Sequence, residues 1–161
     1  MSLLKRVIGG AAIGGVAIFA GTGAFDDETT RTEDGHIVES GGLGAFAMRV
    51  GDCVQLPDEN SDQVASVEGV PCTEAHDAQV YAEFDLATAG FPSDADMDAL
   101  GVQGCTERWA AAIGSAYEAD TAFDFTFFSP TETSWAEDDR EVTCMVISVD
   151  GSPLIGSKLV P

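Results

Sequence analysis

The chain has 161 residues, of which 28 are Asp or Glu and seven are Lys or Arg, and it carries a formal net charge of −21 at pH 7. So acidic a surface repels nucleic acid and anionic lipid headgroups and attracts basic partners or cations. Nucleic-acid binding is therefore excluded, and the charge is read first as solubility, with a basic protein partner as the sharper alternative.

In chain order, Lys5 and Arg6 precede nineteen uncharged residues from Val7 to Phe25. As a helix this run would be roughly 28 Å long, the thickness of the hydrocarbon core, and its basic flank would lie in the cytoplasm. Residues 1–25 are thus expected to form a single transmembrane anchor in the cell membrane, with everything after Phe25 exported. Thr22-Gly23-Ala24 loosely resembles a signal-peptide cleavage site. The long, glycine-rich core and the absence of a following cysteine to take a lipid favour an anchor that stays attached. Gly10 with Gly14 and Ala11 with Gly15 form small-residue pairs through which another transmembrane helix can approach.

Residues 26–47 combine acids, threonines and glycines without an apolar period and are read as a flexible acidic tether. From about Met48 to Pro161 a single exported domain is expected. Residues 63–70 read as a strand that pairs in hairpin fashion, across a turn at 71–75, with the clearest strand of the chain. There Ala78, Val80, Ala82, Phe84 and Leu86 alternate with Asp77, Gln79, Tyr81, Glu83 and Asp85, which predicts one buried and one wet face. A helix follows, capped by Ser93, with Asp94 and Asp96 in its first turn and Met97, Cys105, Trp109 and Ile113 at helical spacing. Gly101 and Gly104 either allow close packing on the sheet or mark a break. An aromatic strand at 123–128, a helical turn within 131–138, a strand at 141–149 and a last strand at 154–160 after the Asp150-Gly151 turn complete an α+β domain. Its sheet is mostly antiparallel and carries one principal helix.

All four cysteines lie beyond the anchor, in the oxidising compartment, where an even number reads as disulfides. Cys144 shares a strand face with Val142 and Val146, and Cys105 lies on the apolar stripe of the helix. Both point to the helix–sheet interface, which pairs Cys105 with Cys144 and leaves Cys53 with Cys72.

No catalytic constellation is evident. Cys72 and His76 have the spacing of half a metal site, but a second pair is missing and the thiols are expected to be oxidised. Asp94, Asp96 and Asp98 superficially open a calcium loop, yet Ala99 stands where its glycine belongs and Cys105 where its bidentate glutamate belongs. No nucleophile stands with a base, so neither catalytic residues nor cofactors or metals are assigned. Trp135 and Arg140 are candidate interface residues, weighed against a simpler role in anchoring a loop on the core.

The segments VGDC at 50–53, VPC at 70–72, AHDAQVYAEF at 75–84, Cys105, PTETSW at 130–135, Arg140 and Thr143-Cys144 resemble the septum-formation-related domain of actinobacterial membrane proteins. The likeness spans about residues 49–158. It implies a single-span anchor carrying an exported, disulfide-bonded domain without established enzymatic activity, and the family's usual glutamate after HDA is Gln79 here. The architecture also resembles the accessory subunits of the actinobacterial cytochrome bcc–oxidase supercomplex. The expectation is a non-catalytic accessory or scaffold subunit of a multi-protein envelope complex, contacting other membrane subunits through both anchor and domain. The respiratory supercomplex is narrowly preferred over a septum-formation or envelope-assembly factor, with an exported hydrolase or calcium-dependent binding module as the third class.

Overall fold

A computed structural model describes residues 5–8, 26–57 and 64–161. Among these described residues there are nine strands: β1 (Lys5–Ile8), β2 (Thr30–Arg31), β3 (Ile37–Glu39), β4 (Gly41–Gly44), β5 (Cys53–Gln55), β6 (Ser66–Val70), β7 (Ala78–Asp85), β8 (Phe123–Pro130) and β9 (Glu141–Ser148). The helices are α1 (Asp94–Ile113) and α2 (Glu132–Ala136). Seven strands make one sheet in the order β1-β8-β9-β7-β5-β6-β4, and β2 and β3 form a separate antiparallel pair. Within the large sheet only the β1–β8 pairing is parallel. The domain is therefore α+β, with a mostly antiparallel sheet, one main helix and two disulfides.

The helix follows from its sequence. The Ser93 hydroxyl accepts the Asp96 N–H at the first turn, and Gly114, at φ +86°, ends the helix with its N–H on the Ala110 carbonyl. There is no break at Gly101. Both Gly101 and Gly104 are buried on the sheet side, where an added Cβ would run into the rings of Phe127 and Phe84 respectively. Met97, Cys105 and Trp109 bury themselves with Phe125, Phe127, Val142, Cys144 and Val146 to make the core under the helix.

A second core covers the opposite face of the sheet. Ile37, Leu43, Ala45, Met48, Val54 and Val67 pack there against Val80, Phe128 and Met145. The segment 26–47 supplies much of this layer, which corrects the expectation of a tether. β4 pairs with β6, and the backbone of 26–28 in turn covers the outer edge of β4, through the Glu28 N–H on the Gly42 carbonyl and the Gly44 N–H on the Asp26 carbonyl. Arg31 locks the segment down by giving two parallel hydrogen bonds to Asp52, at 2.6 and 2.9 Å, and a third to Asp27. Asp52 is only 4% exposed, so the pair is screened little by water.

Two pairing expectations also change. β6 does not form a hairpin with β7, because β5 lies between them and pairs with both. Nor does β7 keep one wet face. A bulge between Val80 and Ala82 shifts its phase, so that Ala78 and Val80 face the second core while Ala82 and Leu86 face the helix. Tyr81 and Gln79 are buried as well, the tyrosine hydroxyl donating to the Cys105 carbonyl and the glutamine amide engaging Ser157 and the Lys158 N–H. The expected last strand at 154–160 is reduced to a single bridge between Leu154 and His76. Apart from Lys5–Ile8, which runs beside β8, the expected anchor lies outside the described residues. Among the described residues no helix is long and apolar enough to cross a membrane.

Candidate interaction surface

One disulfide ties the helix to the sheet and the other braces the sheet itself. Cys105 is bonded to Cys144 with a Cα separation of 5.6 Å, tying the centre of α1 to β9. Cys53 is bonded to Cys72 at 5.2 Å, tying β5 to the loop between β6 and β7. By chain-entropy reckoning, bridges closing loops of this size are each worth about 3–4 kcal/mol.

His76 is fully buried, and its Nδ1–H donates to the Glu74 carbonyl at 2.8 Å. Burial holds it below the ordinary histidine range, so the ring stays neutral and opens β7 as a structural residue. Among the described residues no three His, Cys, Asp or Glu side chains converge as metal ligands would. At the start of α1, the Asp96 carboxylate accepts the Ser93 hydroxyl at 2.6 Å, an arrangement of helix capping.

Trp135 is 8% exposed and stands edge-on to Phe91, with the Arg140 guanidinium 3.8 Å above its ring. Arg140 also donates to the carbonyls of Trp135 and Asp139. This geometry anchors the α2–β9 loop on the core. Gly10, Ala11, Gly14 and Gly15, the expected helix-packing residues, lie outside the described residues.

Sequence reasoning did not single out an open cleft beside β8 and β9. It has a volume of about 830 Å³ and lies where the loop after α1 meets the β8 and β9 ends. Phe123, Ile147 and the 58% exposed Val149 give it apolar walls, and Tyr117 also lines it. Tyr117 is held in place by Trp109 and Phe125, with ring centroids at 5.3 and 5.1 Å, and its hydroxyl donates to Asp124 at 2.7 Å. Burial first, and then the Asp124 carboxylate, push the phenol up to about 12, so it remains a donor at every physiological pH.

Glu118, Asp120 and Asp124 supply the charge of the cleft, and no Lys or Arg lines it. Burial pushes Asp120 up, but the Phe123 N–H, the Ser115 hydroxyl and the Ala122 N–H outweigh it and leave the carboxyl below its ordinary value. Asp120 and Asp124 also accept the N–H groups of Phe123 and Phe125, which caps the part of β8 not covered by β1. The cleft escaped notice in the sequence because its two halves, 117–124 and 147–151, meet only through the β8–β9 register, in which Asp124 lies opposite Ile147.

Comparison with known proteins places these features in one framework. No curated protein and no solved structure matches the chain. A family model described as "Septum formation" matches residues 45–155, a span that holds all four cysteines, α1 and the whole cleft. On that match the chain belongs to the septum-formation family.

Proposed function

We propose that this chain is a non-catalytic, exported factor of the cell envelope that works in septum formation by binding other proteins. The observation that carries the reading is the family match across the disulfide-bonded domain. The disulfides suit an oxidising compartment. A binding role is supported by an open apolar cleft with a one-signed charged lining, whereas the sole histidine of residues 48–161 is buried and tied to the backbone.

The same match favours this reading over membership of the respiratory supercomplex. The latter rests on the apolar stretch at 9–25, outside the described residues, and on architecture alone.

Gentle detergent extraction of the tagged full-length chain, followed by mass spectrometry, tests the proposal together with imaging of the tagged chain in dividing cells. Enrichment at septa and co-purification with septal proteins are expected. Co-purification with cytochrome subunits and an even membrane distribution would transfer the protein to the respiratory assembly. Recovery only as a free monomer would sink both.

A further inference from the structure

We infer that the cleft between the α1–β8 loop and the β8–β9 ends is a docking site for a short basic segment of a partner protein, with an apolar side chain inserted between flanking lysines or arginines. This deepens the reading of the domain as a binding module and rests on it.

Size is the first argument. At about 830 Å³ the cleft exceeds what one side chain fills and lies in the range of sites that take a compact ligand or a few residues of peptide. Rigidity is the second. Tyr117 is clamped by Trp109 and Phe125 and by its bond to Asp124, while Phe123 and Ile147 belong to strands paired with each other. A preformed apolar wall loses little entropy when a ligand arrives.

Charge selects the occupant. Glu118, Asp120 and Asp124 line the cleft without an opposing Lys or Arg, so an acidic or neutral apolar segment would leave carboxylates beside it uncompensated, whereas a basic one pairs with them. The Lys158 ammonium, 5.9 Å from the Phe123 ring centre, lies outside the lining and is held by the Ile155 carbonyl. Mode of binding follows from the edge of β8. The N–H groups of Phe123 and Phe125 are already taken by Asp120 and Asp124, so the partner is gripped through its side chains and not by adding a strand here.

The test uses the purified full-length chain and three synthetic fluorescent peptides: lysine alternating with phenylalanine, lysine alternating with glycine, and glutamate alternating with phenylalanine. Anisotropy is read at low and at high salt. The lysine–phenylalanine peptide is expected to bind most tightly and to weaken as salt rises. Val149→Lys and Glu118→Lys change exposed side chains of the cleft, and each is expected to weaken that binding at least about tenfold. Glu107→Lys makes the same charge change as Glu118→Lys on the exposed face of α1 and is expected to leave it unchanged.

Equal binding of the lysine–glycine peptide would overturn the inference, because it would reduce the attraction to net charge. So would a loss on Glu107→Lys as large as on the cleft variants, or no loss on either cleft variant. If these fail while the protein still gathers at septa, only the docking site falls. If peptide binding succeeds but septal enrichment is absent, the septal assignment falls and the site stands.

Discussion

Glu83 has a carboxyl group whose environment opposes its charge. It lies on β7 opposite Thr143 of β9, and its Oε1 is buried without a hydrogen-bond partner. Burial pushes its carboxyl up to about 7, and repulsion from Glu141 and Asp52 adds to this against a weaker attraction from Arg49. Because the folded-state pKa is raised, the contribution of Glu83 to stability is fully present below its unfolded value near 4.5 and is lost as pH rises through about 7. His76 acts in the other sense. Its folded pKa is lowered by burial, so it withdraws stability as pH falls below 6.5. The two overlap in raw stability curves, and a difference between variants separates them. Glu83→Gln is expected to match the parent chain near pH 4.5 and to be more stable at pH 8 by about 1 kcal/mol, after allowance for partial solvent screening. Urea unfolding across that range reads the difference, and a gain independent of pH would remove ionisation as its cause.

At the scale of elements, the packing of α1 on the sheet turns on two glycines that differ in what lies opposite. Alanine in a helix interior gains about 1 kcal/mol over glycine. At Gly101 the added methyl meets Phe127, a ring 1% exposed within the core under the helix. At Gly104 it meets the far end of Phe84, a ring only partly buried, with the Arg108 guanidinium 4.2 Å from its centre as a side-chain neighbour that can move with it. Overpacking a closed core costs about 1–3 kcal/mol. Gly101→Ala is therefore expected to lower stability by about 1–2 kcal/mol and Gly104→Ala to be close to neutral, as thermal unfolding would show. The reverse order would mean that Phe84 is the more rigid ring. This helix was legible in the sequence because cap, first-turn acids and apolar stripe are all local signals. The facing of β7 was not, since a bulge changes the phase of an alternating pattern without changing its letters. Residues 26–47 were unreadable for a different reason. β4 carries Gly41, Gly42 and Gly44 and so has no side-chain period, and it is built on backbone approach so close that a Cβ at Gly41 would run into the Glu28 carbonyl. The cleft joins segments far apart in sequence, and no local pattern announces it.

For the whole molecule the consequence is that the folded unit begins well before Met48. The sheet has a hydrophobic layer on each face, and β7, β8 and β9 contribute to both. Removing residues 26–47 would take away β4 and the buried side chains of Ile37, Leu43 and Ala45, and would open the edge of β6 to solvent. It would also leave Asp52 buried without Arg31, and breaking a buried pair in this way costs about 3–5 kcal/mol by itself. Loss of a buried leucine side chain adds about 2–5 kcal/mol. Together these losses are comparable to the whole stability of a domain of this size, about 5–15 kcal/mol. A chain beginning at residue 48 is therefore expected to lack a cooperative unfolding transition or to aggregate through β6. One beginning at residue 26 should unfold in a single step. Arg31→Met in the longer chain isolates the ion pair and should cost about 3 kcal/mol while the segment stays in place. If the chain from residue 48 unfolds cooperatively at the same denaturant midpoint as the chain from residue 26, the N-terminal layer contributes nothing to the domain and its boundary returns to Met48.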